Sequence, residues 1–460
     1  MASVQIPLAP HTYKLRSTPA STARLLNCSA IKLPPEAKTQ ILLTRTAGPR
    51  IHATPGTGPM RGQHAFLGDV FCVTGTSLYK VDAAGTETLV GSIPGTGSVS
   101  MAHNIDTLVI VAEPNAYYTD GTTVSQITDV DFTARGAKYV EFLDNFLVFM
   151  EPGSGRVFWA DVGTAADFDS LNFTTAEGSP DDLVGIKSDH RQILLLGEDS
   201  FEIFEFTDSG LVRAINGYGE IGCANGNTAQ RFDNSVAWVA PDFSVRVLRG
   251  NTPQIISEDS ISQFLSSVDV STLRSYTYGI DGGFFYVVCC SAGARSYNGA
   301  TGLWHELSTY PNDYFAWQYQ CTAHGRQYIG NFYTNELAYF DPTWFKDGDG
   351  IQRMEGTFQP VYAQNRLAVH HRLELVFEAG VGLTTGQGSD PEVMLEYSND
   401  GGITWTSLPS KKLGKMGQYE TRVHWDGLGA ARQRVYRFAV SDPVKVALTD
   451  AILTVTGGRT

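Results

Sequence analysis

The chain has 460 residues, of which 42% are hydrophobic and only 18% are charged, with 47 glycines and 20 prolines. This composition provides for a sizeable core and excludes a coiled coil, a helix bundle and a disordered tail. The net charge of −14 is opposite in sign to that of a protein that grips nucleic acid over a broad surface. Residues 355–460 hold 11 basic and 11 acidic residues, and residues 1–354 hold 23 basic and 37 acidic ones. The acidity therefore belongs to the first three quarters of the chain.

The chain has six cysteines, without a CxxC pair, and ten scattered histidines without metal-ligand spacing. We predict buried free thiols in a reducing compartment. Residues 1–5 lack the basic and apolar regions of a signal peptide, and no apolar run approaches the ~18 residues of a membrane helix. The sequence thus predicts a protein made in a cytosol, without membrane insertion.

Residues 1–56 are rich in proline and irregular, so we expect an extended N-terminal arm that lies over another part of the assembly. From residue 57 to residue 342 one unit recurs: a tight turn, an apolar β-rich run, and a second strand with an aromatic residue near Asp or Asn. The units are marked by Asp69, Asp106, Asp144, Asp189, Asp233, Asp281 and Gly325. Their spacings are 37, 38, 45, 44, 48 and 44 residues.

A strand-rich repeat of this length predicts a β-propeller over residues 57–342, with one four-stranded blade per unit and six or seven blades in all. The last hairpin, near residues 325–342, is also compatible with a lead into the next domain. The alternative is a β-sandwich with fortuitous spacing. A short helix with a serine cap is expected at residues 260–267.

Residues 343–356 are predicted to be a linker, in which Asp347-Gly348-Asp349-Gly350 forms a solvated turn rather than a calcium loop. The residues after the linker alternate between apolar and polar again, which predicts a C-terminal β-sandwich domain over residues 357–460. The predicted fold class is therefore all-β, a propeller followed by a sandwich-like domain.

Ser398, Asp400, Gly402 and Trp405 fit the Asp-box pattern S-x-D-x-G-x-T-W. An Asp side chain can accept backbone N–H bonds across such a turn, and glycine permits a positive φ. The motif occurs in sialidase-type glycosidases as a folding element away from the chemistry, so we expect a structural turn.

The C-terminal domain also carries a basic run, which is either a solvated face or a docking surface for an acidic partner ring or for phosphates. Its members are Lys411, Lys412, Lys415, Arg422, Arg432, Arg434, Arg437 and Lys445. The sequence contains no nucleophile elbow, P-loop or dinucleotide fingerprint. We therefore predict no catalytic residue, no cofactor and no metal site.

Several segments, in order, resemble one family. They are GTGSVSMAH (95–103), DLVGI (182–186) leading to FEIF (201–204), GEIGCA (219–224), ATGLWHE (300–306) and the stretches 398–405, 414–422 and 435–443. Together they are similar to the packaged-DNA stabilisation protein, or tail nozzle (hub), of short-tailed double-stranded DNA bacteriophages. The likeness spans roughly residues 25–455.

The resemblance implies a virion component rather than an enzyme, synthesised in the host cytoplasm and located in the phage tail. It implies a homo-hexameric ring beneath the portal and a dodecameric head-to-tail adaptor, with tail fibres or spikes attached around it. Such a ring extends the DNA channel, helps to retain the packaged genome and passes double-stranded DNA without sequence-specific binding. An acidic channel wall would repel phosphates and weaken adhesion.

The alternative function is a propeller-type glycosidase or a carbohydrate-binding tail protein. This hypothesis rests on the Asp-box and on aromatic residues that could stack on sugars at the surface, such as Trp304, Trp317 and Trp344. A glycosidase also needs two carboxylates placed across a site, and no such pair stands out.

Overall fold

A computed structural model describes residues 2–14, 21–362, 364 and 366–457 of the chain. The fold is nearly all β-strand and comprises a β-propeller and a β-sandwich, as predicted. Among the described residues, no helix is both long and apolar enough to cross a membrane. All six cysteines are buried and free, as predicted for the thiols themselves.

The propeller consists of seven antiparallel units of four strands, named here a to d from the innermost strand outwards. Blades 1 to 3 are Met60–Phe66, Asp69–Thr74, Ser77–Val81, Glu87–Ser92; Ser100–His103, Leu108–Ala112, Asn115–Thr119, Val124–Gln126; and Tyr139–Leu143, Phe146–Met150, Arg156–Trp159, Phe173–Thr175. Blades 4 and 5 are Leu183–Asp189, Gln192–Gly197, Phe201–Thr207, Gly210–Gly219; and Gln230–Phe232, Ser235–Val239, Val245–Arg249, Thr252–Ile255. Blades 6 and 7 are Arg274–Ile280, Gly283–Cys290, Gly293–Asn298, Leu303–Leu307; and Trp317–Ala323, Arg326–Asn331, Leu337–Asp341, Gly48–Ala53. Each a strand contacts the a strands of both neighbouring blades, so the ring is closed.

The repeat seen in the sequence is the turn between strands a and b of each blade. In blade 3 this turn places Asp144 and Asn145 at φ values of 48° and 72°, and blade 5 repeats the arrangement with Asp233 and Asn234 at 50° and 58°. Asp, Asn and Gly tolerate this left-handed conformation better than other residues. Blade 6 does the same with Asp281 and Gly282 at 50° and 75°, and this recurrence makes the blade periodicity legible in the sequence.

Residues 1–56 were predicted to be an extended arm, but their described part contributes strands to both domains instead. Gly48–Ala53 is the outermost strand of blade 7 and pairs antiparallel with Leu337–Asp341. It thereby joins the beginning of the propeller to its end and closes the ring. Four upstream strands belong to the sandwich, namely Ala2–Gln5, which pairs with Ala447–Gly457, and Leu25–Leu26, Cys28–Lys32 and Ile41–Arg45.

The sandwich has two sheets. One contains Ala2–Gln5, Cys28–Lys32, Ile41–Arg45, Ala368–Phe377, Val423–Asp426, Ala430–Ala431 and Ala447–Gly457. The other contains Leu25–Leu26, Met354–Thr357, Val361–Tyr362, Glu392–Ser398, Thr406–Lys412 and Gln433–Val440. This second sheet is continuous with blade 6, because Leu26 pairs with Glu306 on one side and with Glu355 on the other. Blade 6 and half of the sandwich therefore form a single ten-stranded sheet.

The segment predicted to be a linker, residues 343–356, is structured. Lys346–Asp347 and Gly350–Ile351 form a small hairpin, and Met354–Thr357 begins the sandwich sheet. The minor elements are the hairpin Tyr13–Lys14 with Thr22–Ala23, the α-helices Val130–Thr133 and Asp259–Leu265, and the 3₁₀ turns Gly226–Thr228 and Val270–Thr272. The expected short helix exists, but its cap position is Glu258, which makes no side-chain capping bond, rather than a serine.

Candidate functional site

The a strands of the propeller surround a central channel with a cavity of about 580 Å³. Alternate residues of a strand point to opposite faces of its sheet, and the two faces of a blade meet the two neighbouring blades. In strand 5a, for example, Gln230 donates to the Ser275 carbonyl oxygen of blade 6 and Arg231 donates to the Ser188 carbonyl oxygen of blade 4. Four charged residues line this channel: Glu141 from blade 3, Lys187 from blade 4, Arg231 from blade 5 and Arg274 from blade 6.

A hydrogen-bonded network runs across blades 3, 4 and 5. Lys187 Nζ donates to Glu141 Oε1 at 2.7 Å, and Ser188 Oγ donates to Glu141 Oε2 at 2.7 Å. Burial opposes ionisation of Glu141, but Lys187 and the Ser188 hydroxyl hold the pKa of this carboxyl below its ordinary value. Arg231 Nε donates to the Ser188 carbonyl oxygen, and Arg231 Nη2 to Ser188 Oγ, both at 2.6 Å.

His64 and His103, from blades 1 and 2, form a neighbouring pair, with His64 Nε2 and His103 Nδ1 2.7 Å apart. Burial, reinforced by His103, lowers the pKa of His64 to about 4, and burial also lowers the pKa of His103. Both rings are therefore neutral at pH 7, so one ring nitrogen of the pair donates and the other accepts.

Arg274 lies at the first residue of strand 6a. Its Nη1 donates to Ser98 Oγ at 3.0 Å and to the Tyr319 hydroxyl at 2.7 Å, and its guanidinium carbon lies 4.1 Å from the centroid of the Phe332 ring. Its Nε is buried and has no hydrogen-bond partner in the part of the chain that the structure describes.

A second charged cluster joins the two domains. Arg24 Nε donates to Glu306 Oε2 of blade 6 at 3.0 Å, and Arg24 Nη1 donates to Glu355 Oε1 of the sandwich at 3.2 Å. Arg295 lies 3.5 Å from Glu306, and Arg437 lies 3.6 Å from Glu355. Both carboxylates are buried, so their cations are part of the packing that fixes the sandwich on the propeller.

The Asp-box residues form a self-contained turn. Asp400 Oδ1 accepts hydrogen bonds from Ser398 Oγ at 2.6 Å, from the Ile403 amide at 3.0 Å and from the Thr404 amide at 2.9 Å. Trp405 Nε1 donates to the Gly402 carbonyl oxygen at 3.1 Å. These bonds stay within the hairpin, and they hold the pKa of Asp400 well below its ordinary value.

The residues of the basic run do not form one exposed strip. Arg434 is 2% exposed and donates to Asn399 Oδ1 at 2.8 Å, so it cannot belong to a docking surface. Four others pair with acidic residues of their own domain: Lys412 with Asp390 and Glu392, Arg422 with Glu374, Arg437 with Glu396, and Lys445 with Glu378. Lys411, Lys415 and Arg432 are exposed.

The aromatic residues suggested for sugar stacking are mostly unavailable. Trp304 and Trp317 are 1% and 2% exposed. Trp304 Nε1 donates to the Ile256 carbonyl oxygen, and Trp317 Nε1 donates to the Asp347 carboxylate. Asp347, predicted to lie in a solvated turn, is thus buried, and burial raises its pKa to about 6. Within the described ranges, no group of three or more His, Cys, Asp and Glu side chains is placed to hold a metal ion.

Neither the channel cluster nor the cluster between the domains was predicted from the sequence. Lys187, Arg231 and Arg274 come from three blades, and Arg24, Glu306 and Glu355 come from three distant segments. The available signal was a charged residue inside an otherwise apolar strand, such as Glu306 in Leu303–Leu307.

The class of protein defined by this architecture is a seven-bladed propeller fused through a shared sheet to a β-sandwich. The chain belongs to the bacteriophage P22 Gp10 family, whose beta-propeller matches residues 5–325 and whose beta-sandwich matches residues 357–456. The match confirms the resemblance to the packaged-DNA stabilisation, or tail nozzle, family, and the chain is a phage structural protein of the virion.

Solved structures that show similarity to the chain match it at low sequence identity. They include the computationally designed Ika8 protein (13% identity, TM-score 0.40, 63% of this chain and 99% of that chain) and virginiamycin B lyase from Staphylococcus aureus (10% identity, TM-score 0.43, 61% and 94%). The N-terminal domain of Nup159 matches with 10% identity and a TM-score of 0.41, over 67% of this chain and 98% of that chain. No curated protein sequence matches the chain.

Proposed function

We propose that this chain is a subunit of the phage tail nozzle (hub), a homo-oligomer, most simply a hexamer, below the portal and the dodecameric adaptor. In this position it extends the DNA channel, helps to retain the packaged genome and provides the attachment point for tail fibres or spikes. The observation that carries the proposal is the family match, in which both domains of the bacteriophage P22 Gp10 family occur in order over residues 5–325 and 357–456.

The geometry supports a DNA path between copies rather than through each propeller. An a strand of seven residues such as Met60–Phe66 is about 23 Å long, so a cavity of about 580 Å³ has a mean cross-section of only a few tens of Å². A channel with this cross-section is narrower than the major groove of DNA, which alone is about 12 Å wide. The duplex therefore passes through a ring of subunits, each with a net charge of −14, which disfavours adhesion of the phosphates.

The connection between the domains is rigid, which suits a component that must keep its shape while it retains the packaged genome. The shared ten-stranded sheet and the buried contacts of Arg24 with Glu306 and Glu355 oppose rotation of the sandwich against the propeller. Exposed Lys411 and Lys415 on the sandwich remain our candidates for docking onto an acidic partner ring.

The test is reconstitution on isolated portal–adaptor complexes, followed by electron microscopy. We expect a ring of copies at the exposed end of the adaptor, and we expect virions that lack the chain to lose DNA after packaging. Lys411→Glu with Lys415→Glu should weaken docking, whereas Arg191→Glu, on an exposed turn of blade 4, should not. Absence of the chain from the adaptor end, together with full DNA retention in virions that lack it, would contradict the proposal.

A further inference from the structure

The two domains carry opposite charges. Residues 1–47 and 351–460, which hold the strands of the sandwich, contain 18 basic and 12 acidic residues, a net charge of +6. Residues 48–350, which hold the seven blades, contain 16 basic and 36 acidic residues, a net charge of −20. Because the two charges are opposite, the sandwich of one copy is attracted to the propeller of another.

The outer edge of blade 3 carries exposed apolar side chains on an anchored loop. Residues 160–172 connect the third strand of this blade to the fourth, and within them Val162 and Leu171 are 65% and 78% exposed. Phe168, in the middle of the loop, is buried in the core of the blade. Because this anchor fixes the loop, the two apolar side chains are held at the surface.

The same loop is acidic. Asp161, Asp167 and Asp169 are exposed, and residues 160–172 contain no basic residue. Arg135 lies beside the loop and donates to the Ser170 carbonyl oxygen at 2.7 Å, so the net charge is −2 when this arginine is included. We call this surface the blade 3 face; it consists of Asp161, Val162, Asp167, Asp169 and Leu171.

The sandwich carries an apolar face of the opposite charge. Tyr362 and Val369 both pair with residues of the short stretch 430–433, so they lie close together. Tyr362 is 62% exposed, and Leu367 and Val369 are exposed as well. The sandwich face consists of these three residues with the exposed Arg366 and Arg432. Residues 356–373 and 427–441, from which it is built, contain no acidic residue.

Blade 3 lies directly across the ring from the sandwich. The sandwich adjoins blade 6 through the pairing of Leu26 with Glu306, and it adjoins blade 7 because its strand Ile41–Arg45 is followed at once by Gly48–Ala53. In a ring of seven, blade 3 is three blades from blade 6 in one direction and three blades from blade 7 in the other. Two different, complementary faces on separate sides of a subunit are what a head-to-tail contact needs, and such contacts generate rings when the rotation closes.

We propose that the blade 3 face of one copy binds the sandwich face of the next copy, and that this repeated contact builds the ring. The inference rests on the proposed function, since it identifies how copies of the nozzle subunit contact each other. The apolar side chains of both faces leave water in the contact, and the aspartates opposite the arginines select the partner and the register.

A cross-linking experiment tests which surfaces meet. Leu171→Cys and Leu367→Cys each introduce one exposed thiol, since the six native cysteines are buried. The two variants are mixed, assembled on portal–adaptor complexes and treated with a short bis-maleimide. We expect a cross-linked dimer that contains one copy of each variant, and no dimer from either variant alone. In the control, Leu89→Cys on the exposed outer strand of blade 1 replaces Leu171→Cys and should give no cross-link.

Charge reversal tests the same contact without cross-linking. Asp167→Lys with Asp169→Lys should weaken ring formation on the adaptor at least about tenfold, because lysines then face arginines. Adding Arg366→Glu and Arg432→Glu to the same chain should restore ring formation, because the signs are then exchanged on both faces.

The matched control is Asp106→Lys with Glu113→Lys, which changes the charge equally at exposed positions flanking an inner strand of blade 2 and should assemble like wild type. Wild-type rings without the cross-link between residues 171 and 367, or equal assembly of wild type and the Asp167 and Asp169 variant, would overturn the inference and leave the nozzle proposal intact. Cross-linking of residue 171 to an adaptor or fibre subunit would also overturn it. Wild-type copies that never reach the adaptor would contradict both proposals. The cross-linking result decides if the charge-reversed chains do not fold.

Discussion

Arg24 offers the sharpest test of how the sandwich is fixed on the propeller. Its guanidinium lies between Glu306 of blade 6, at 3.0 Å, and Glu355 of the sandwich, at 3.2 Å. Arg24→Met keeps the apolar part of the side chain and removes both charge-assisted hydrogen bonds. The variant leaves two buried carboxylates facing the gap between the domains.

The size of the effect follows from what remains around each carboxylate. A hydrogen bond to a charged group contributes about 1.5–3 kcal/mol, and breaking a buried ion pair costs about 3–5 kcal/mol when the remaining charge has no other partner. Here Glu306 keeps Arg295 at 3.5 Å, and Glu355 keeps Arg353 at 3.4 Å and Arg437 at 3.6 Å. We therefore expect the free energy of unfolding to fall by about 2–4 kcal/mol.

Urea unfolding followed by tryptophan fluorescence measures this loss. The control is Arg191→Met, because Arg191 pairs with Asp144 at the surface and such pairs contribute less than about 1 kcal/mol. A loss from Arg24→Met no larger than that of the control would show that Arg24 does not fix the sandwich on the propeller.

Three further predictions concern other parts of the molecule. Burial raises the pKa of Asp347 to about 6, so the folded state holds this proton more tightly than the unfolded state. The free energy of unfolding should therefore fall by up to about 3 kcal/mol as the pH rises from 4 to 6, and it should stay level above pH 6. In thermal unfolding, Asp347→Asn should lose this pH dependence. A pH profile that is the same in the variant as in wild type would contradict this role of Asp347. Deleting residues 48–53 removes the outermost strand of blade 7, so limited proteolysis should cut first within residues 326–341, and wild-type resistance would show that this strand does not close the ring. Asp400→Ala removes the acceptor for the amides of residues 403 and 404, whose hydrogen exchange should accelerate; unchanged exchange would show that the carboxylate does not hold the turn.

The blade repeat was predictable because a local conformation demands particular residues. In most blades the turn between strands a and b has a positive φ, and Asp144 with Asn145, or Asp281 with Gly282, satisfies this need within a few residues of sequence. The apolar runs after these turns identify the buried b strands. Fold class and repeat length are therefore local information and can be read from the sequence.

The closure of the ring and the junction of the domains were not predictable in this way. Gly48–Ala53 pairs with a strand almost 300 residues away, and Pro49 within it makes the segment look irregular. The burial of Arg434 was not predictable either. Alternation along Gln433–Val440 predicts a strand with one buried face, but it does not show that an arginine lies on that face. Only three-dimensional packing brings Arg231 and Arg274 into one channel.

We propose above that this chain forms the nozzle ring of a phage tail. Electron microscopy of intact virions, with the chain located by fitting its propeller and sandwich, tests this claim most directly. We expect a closed ring of copies below the adaptor, with the DNA path between subunits and each propeller channel too narrow for the duplex. A location elsewhere in the virion, or a duplex threaded through a single propeller, would contradict it.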